Sequence, residues 1–300
     1  MMYKNKIINI VASILTVLSL ILICGCQKDY NLREPTFLKM GSAFDLSNAE
    51  VVFNISDDEK EIFGKEYPVY CRKASELKRA DILEIFNFTE NTHVSEDSLF
   101  DRYKDGDRTL EFYVDGRMYY NDHNRDNEMN QPIKFTADDV WDMAEKYLRE
   151  RNMLPEAYIR RGTTEYRITN KLFKLGVTFR PTYNGCNTFG GSSVTVVYNT
   201  DKEVTEVIFA FTPYSYLKDT NTIEYEDAIK NFPWENSAIG FESADIQEVV
   251  KIEFTHCELQ YYDYLPGEDA IQPCFMFSGL VYDATGNSTP IEYAVYAPAK

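Results

Sequence analysis

The chain has 300 residues, 44% of them hydrophobic, enough for one large core or two modest ones. It carries 48 acidic against 31 basic side chains, a formal charge of −17, which argues against nucleic acid or an anionic lipid surface as a partner and favours solubility or a basic partner. The acids are spread rather than blocked, as on the solvated faces of a folded body.

Residues 1–25 read as a secretory signal: Lys4 and Lys6 precede a run from Ile7 to Cys26 that carries no charge. A run of that length could also cross a bilayer as an uncleaved anchor, a reading that Asn9, Ser13, Thr16 and Ser19 weaken. A redox or metal-binding role for Cys24 and Cys26 is weaker still, since both sulfurs lie in an apolar, membrane-directed segment. Ile23-Cys24-Gly25-Cys26 resembles the lipobox of bacterial lipoprotein precursors. The resemblance implies cleavage before Cys26, lipidation of Cys26 and loss of Cys24 with the signal. Without Lys4 and Lys6 the mature charge becomes −19. Each buried methylene contributes about 0.8 kcal/mol, so two or three acyl chains anchor a protein stably where one holds only marginally. The expected location is the extracytoplasmic side of the cell membrane.

Residues 26–48 lack periodicity and read as a lipidated tether. An N-terminal α+β domain is expected over 49–130. Its strands are predicted at Ala49 to Ile55 and Tyr67 to Lys73, with a helix from Ser75 to Phe88 that places Ile82, Ile85 and Phe86 on one face. Asp115-Gly116 between two aromatic-rich runs predicts a hairpin. A C-terminal α+β domain of two units is expected over 131–300. Its first helix is capped at Thr136, has Asp139 in the first turn and carries a stripe of Val140, Ala144, Tyr147 and Leu148 before Pro155. Strands follow at Gly176 to Thr182, Ser193 to Asn199 and Val204 to Pro213. The last unit begins with Tyr225, Ala228, Ile229 and Phe232 at helical spacing, stops at Pro233, and continues as three strand-like runs. Helices alternating with antiparallel strands predict an α+β fold of repeated helix-on-antiparallel-sheet units.

Chemistry-bearing residues are sparse. There are three histidines, His93, His123 and His256. His256 and Cys257, as neighbours on a strand, point to opposite faces and cannot form a nucleophile–base pair. Gly190-Gly191-Ser192-Ser193 lacks the strand-turn-helix context of a nucleophile elbow and reads as a hairpin loop. Asp122, Asn124, Asp126 and Glu128 alternate as in the first half of a calcium loop, but Asn127 replaces the turn glycine and Ile133 the bidentate glutamate, which favours a solvated loop. Asp105 and Asp107 are accounted for by a turn. No cofactor, metal site or catalytic residue is assigned. The four remaining cysteines, Cys71, Cys186, Cys257 and Cys274, show no C-x-x-C spacing. Cys257 and Cys274, on neighbouring predicted strands around Pro266-Gly267, form the candidate disulfide; two half-buried thiols are the alternative. Tyr119-Tyr120 and Tyr261-Tyr262-Asp263-Tyr264 could grip a sugar or a protein, although half-buried strands favour tyrosine anyway.

Two segments carry a family resemblance. FTADDVWDMAEKYLRERNMLPEAY is similar to the capped helix that precedes the sheet in YycI/YycH-like extracytoplasmic regulators and PepSY-like modules. The closing segment, with Gln272, Pro273, Phe275, Phe277, Gly279 and the ending Tyr296-Ala297-Pro298-Ala299, is similar to their final unit. The resemblance implies a non-enzymatic envelope protein that binds a protein partner, typically a membrane sensor kinase, and tunes its signalling. Those regulators usually keep a transmembrane helix, whereas this chain has a segment that resembles a lipobox. A solute- or glycan-binding lipoprotein using the tyrosine clusters is the alternative, and an enzyme comes third.

Overall fold

The computed structural model describes residues 48–73, 77–126, 133–168, 171–230, 232, 237–241, 248–263 and 270–298. The signal over 1–25, Cys26 and the tether up to residue 47 lie outside the described residues.

The described chain opens with β1 (Glu50–Phe53), a one-turn helix α1 (Asp57–Lys60) capped by Ser56, and β2 (Glu66–Arg72). Helix α2 (Arg79–Ile85) leads into β3 (His93–Glu96), β4 (Phe100–Asp105), β5 (Arg108–Tyr113) and β6 (Met118–Asp122), an antiparallel meander. The turn from β5 to β6 falls at Asp115-Gly116, with Gly116 at φ +85°, a region open to glycine because it has no Cβ. Helix α3 (Ala137–Arg149) begins as its capping signal predicts: Thr136 Oγ1 accepts from the Asp139 N–H at 3.2 Å, and the Asp139 carboxylate accepts from the Thr136 N–H at 2.8 Å. After it run β7 (Tyr158–Ile168), β8 (Lys171–Tyr183), β9 (Cys186–Gly190), β10 (Ser193–Tyr198) and β11 (Val204–Ala210).

Eight of these strands form an antiparallel sheet in the order β3-β4-β5-β6-β11-β10-β8-β7. Alternation along the strands gives it two unlike faces. On one, Leu175, Val177 and Phe179 of β8 and Val194, Val196 and Tyr198 of β10 join Ile82 and Leu83 of α2 in a buried cluster. Val140, Trp141, Ala144 and Leu148 of α3 close that cluster from above. On the other face, Lys174 pairs with Glu206 at 3.0 Å and the Thr178 and Thr195 hydroxyls meet at 2.8 Å.

The chain then adds β12 (Tyr214–Asn221), α4 (Tyr225–Lys230), β13 (Ser237–Phe241), β14 (Val249–Asp263), β15 (Ala270–Asp283) and β16 (Ser288–Tyr296). β14 and β15 pair antiparallel from Val249 opposite Asp283 to Tyr262 opposite Gln272. β16 lines the other edge of β15, with β13 beyond it. β1 runs parallel to the first half of β14, and β9 runs parallel to its last residues. β2 pairs with β12 and also meets β15 at Ala270 and Ile271. Phe254, Phe275, Phe277 and Tyr293 are fully buried in a second cluster, against which Tyr225, Ile229 and Phe232 pack from the α4 side.

The expected α+β architecture of repeated helix-on-sheet units is overturned: this is a mainly β fold. Among the described residues, helices of 4, 7, 13 and 6 residues accompany sixteen strands joined in one network. The predicted helices exist, but the strands near them do not form self-contained units. β1 and β2 pair with β14, β12 and β15, about 150 to 200 positions away in the chain. Helical periodicity reports which face of a segment is buried, whereas strand pairing depends on distant partners that no local window contains.

Gly279 marks the tightest backbone approach in the β14–β15 ladder. A Cβ there would overlap the Glu253 carbonyl oxygen and the Phe254 Cα, next to the irregularity between Phe254 and His256. Gly279→Ala is expected to destabilise the fold by about 3 kcal/mol, the upper part of the usual range for overpacking. Gly162→Ala on β7, where an added Cβ meets nothing within 4 Å, is expected to leave stability within about 0.5 kcal/mol of the parent. Urea denaturation midpoints of the two variants check both.

Candidate functional site

The residues singled out in the sequence are not brought to one place. Cys257 stands opposite Phe277 and Cys274 opposite Gln260. Their registers differ by three positions, so the two sulfurs point to opposite faces of the sheet and the structure does not bring them together. Cys257 joins the second core cluster, where burial pushes its thiol up, and Cys274 belongs to a separate cluster with Tyr262 and Met276. His256 is exposed and hydrogen-bonded to Glu59, apart from the buried Cys257 beside it. In the calcium-like segment the buried Asp122 carboxylate pairs with Arg125 Nε at 3.0 Å and accepts from the Asn124 N–H at 3.2 Å, while Glu128 lies outside the described residues. Among the described residues, no three His, Cys, Asp or Glu side chains gather as metal ligands would.

The tyrosine clusters are largely interior. Tyr120, Tyr261 and Tyr262 are buried; Tyr261 donates to the Pro68 carbonyl at 2.9 Å, and Tyr120 stacks on Phe86 at 4.4 Å. Tyr119 is half-buried and accepts from Asn121 Nδ2 at 2.8 Å, and Tyr264 lies outside the described residues.

A different set of residues converges where the two sheets meet. β8 ends at Tyr183, and the turn to β9 places Asn184 at φ +51° and Gly185 at φ +73°, the two left-handed positions of a tight hairpin. β9 then lies against the end of β14, with Gly190 opposite Asp263 and the Gly191 N–H donating to the Asp263 carbonyl at 2.9 Å. This pairing seals Asp263, the last residue of β14, completely from solvent. Burial pushes its carboxyl up to about 6, and the Tyr214 hydroxyl and the Arg180 guanidinium offset only part of the cost. One oxygen accepts from the Tyr214 hydroxyl at 3.5 Å; the other, together with Arg180 Nε and the Tyr183 hydroxyl, is buried without a hydrogen-bond partner among the described residues. Unpartnered buried polar atoms each cost on the order of 1–3 kcal/mol, so such a cluster is an expensive feature of a core.

Tyr183 and Tyr214 also line a groove of about 620 Å³. Its walls include Tyr70, Phe209 and Phe211, together with Pro155, Pro181 and Pro213. Tyr183 packs on Tyr70 at 5.1 Å and edge-on against Tyr214 at 5.9 Å, and Tyr214 reaches Asp263, so the three rings are contiguous. The volume lies within the range of small-ligand clefts, and rings beside prolines offer flat apolar surface. The sequence reading missed this site because Tyr70, Tyr183 and Tyr214 are isolated in the chain; the Tyr-Asp-Tyr run around Asp263 was the one local signal.

No protein-family model and no curated protein matches the chain. Among solved structures it is similar to an uncharacterized protein from Eubacterium rectale, at 11% identity over 83% of this chain and 86% of that one, with a TM-score of 0.41. It is also similar to the C-terminal domain of Bacillus megaterium YpeB, at 12% identity over 77% of this chain and all of that domain, with a TM-score of 0.34. Neither likeness transfers a site or a partner.

The raised Asp263 carboxyl has a defined consequence for stability. The folded chain holds this proton more tightly than the unfolded chain, whose carboxyl has the ordinary value of 3.8. Its contribution is therefore most favourable below pH 4 and is lost as pH rises through about 6. Asp263→Asn is expected to match the parent near pH 4 and to exceed it at pH 7 by on the order of 3 kcal/mol. Parallel stability–pH profiles for the two proteins, measured by urea denaturation, would refute this.

Proposed function

We propose that this chain is a lipid-anchored extracytoplasmic binding protein without catalytic activity of its own, and that it holds an extended segment of a protein partner in the aromatic groove between its sheets. The observation that carries the proposal is the groove itself, with Tyr70, Tyr183, Tyr214 and Phe211 set beside three prolines. Aromatic-lined grooves suit extended chains, because the ring faces pack on the segment's side chains. The acidic surface, at −17 for the whole chain, favours a basic partner. The lipobox at Ile23-Cys24-Gly25-Cys26 supports attachment to the membrane through Cys26. A membrane sensor kinase is the partner class that the YycI/YycH resemblance implies, with modulation of envelope signalling as the outcome. A glycan or solute reading has less support, since Tyr120, Tyr261 and Tyr262 are spent in the core.

A photo-crosslinking residue placed at Glu156, exposed on the groove rim, tests the proposal in intact cells beside the same residue at exposed Glu226. A membrane protein captured from position 156 and not from 226, and lost when Cys26→Ala releases the chain from the membrane fraction, is the expected result. Capture of glycan from position 156 would move the assignment to a ligand-binding lipoprotein. Identical neighbours from both positions would remove the groove from the function.

A further inference from the structure

We propose that a second cavity, on the helix face of the eight-stranded sheet, is a binding site for a small monocarboxylate with a flat apolar body. The cavity has a volume of about 470 Å³ and lies among α2, α3, β6 and the β10–β11 turn, away from the aromatic groove. Arg108, Arg125, Lys146, Arg151 and Lys202 line it, against only Glu150 and Glu203. In a chain of charge −17 that concentration of cations is unusual. Asp105 and Asp122 pair with Arg108 and Arg125 from behind. Set against these four carboxylates, the five cations leave a single positive charge. One carboxylate neutralises it, whereas a phosphate cluster would overshoot it.

Arg108, Arg125, Arg151 and Lys202 each rest on a carboxylate, a carbonyl or a ring before any ligand arrives. Arg125 is fixed by Asp122 at 3.0 Å and by the Val204 carbonyl, to which Nη1 donates at 3.0 Å. Arg151 lies over the Tyr147 ring at 3.8 Å and donates to the Tyr147 carbonyl at 3.0 Å. Arg108 donates to the Phe86 carbonyl at 3.3 Å and covers the Phe88 ring. Lys202, in the left-handed position of the β10–β11 turn at φ +64°, rests over the Phe135 ring and makes no ion pair among the described residues. Planar guanidinium groups fixed this way lose little freedom when they grip a carboxylate.

Apart from Asn87, the remaining walls are rings and aliphatic side chains. Phe86, Tyr120, Tyr147 and Tyr198 face the cavity, with Ile85 and Met143. Tyr198 is 3% exposed. Burial pushes its phenol up, so it stays protonated and able to donate. A ring between these walls with its carboxylate toward Arg151 and Lys202 uses both halves of the site. Such chemistry occurs in a free aromatic acid and in the C-terminal aromatic residue of a peptide.

Isothermal titration of the detergent-solubilised full chain at low salt with phenylacetate, N-acetyl-phenylalanine, N-acetyl-phenylalaninamide and inorganic phosphate tests the site. Both carboxylates are expected to bind saturably, and the amide and phosphate at least tenfold more weakly. Preference for N-acetyl-phenylalanine over phenylacetate supports the peptide terminus as the source, and the reverse supports a free acid. Lys202→Gln and Arg151→Gln are each expected to weaken the carboxylates about tenfold, the usual cost of a lost charge-assisted contact. Thermal melts run beside the titrations show that the variants fold, and if Arg151→Gln melts early, Lys202→Gln decides. Equal binding of acid and amide, tighter binding of phosphate, unchanged affinity in both variants, or absence of saturable binding would overturn the proposal.

Discussion

The pairing of β14 with β15 is the constraint on which the rest of the structure depends. The two strands run 15 and 14 residues, and nearly every other element of their sheet is placed by one of them: β1 and β9 along β14, β16 and β2 along β15. Strands of this length cannot slip by one position without turning Phe254, Phe275 and Phe277 out of the core. Each of those rings contributes roughly 1.5–3 kcal/mol by burial, so register is held by the cluster as much as by backbone hydrogen bonds. The irregularity between Phe254 and His256 needs a residue without a side chain opposite it, and Gly279 occupies that position.

The same ladder creates the aromatic site. Asp263 is where β14 stops, and β9 arrives there from the other sheet, so the carboxyl is closed in by backbone that serves both layers. A buried carboxyl, a buried guanidinium nitrogen and an unpartnered phenol at one junction oppose folding, and perturbed groups of this kind concentrate at sites kept for function. The groove beside them is made from rings of β2, β8, β11 and β12, which ties its shape to the way those strands meet.

The two cavities differ in physical character because different structures wall them. Strand ends, rings and prolines frame the aromatic groove, with Lys73, Asn152, Glu156 and Asn184 among them. Helix α3 and the β10–β11 turn frame the other, and they bring long cationic side chains over an aromatic floor. In a chain this acidic, a cationic cavity supplies local selectivity that the overall field does not.

What the sequence determined by itself was local. The Thr136 cap and the Val140, Ala144, Leu148 stripe placed α3, the Asp115-Gly116 pair placed a hairpin turn, and Tyr225, Ala228 and Ile229 placed the short α4 against its core. Each is set by interactions within a few residues, where side-chain spacing and backbone freedom suffice. The facing of His256 away from Cys257 was legible for the same reason. Tertiary structure alone decided that β1 and β2 join strands near the far end of the chain, that Cys257 and Cys274 fall on opposite faces, and that Tyr70, Tyr183, Tyr214 and Asp263 share one junction. Those outcomes depend on which distant strands pair and in what register. Alternation along a strand shows which side is buried but carries no address for its partner.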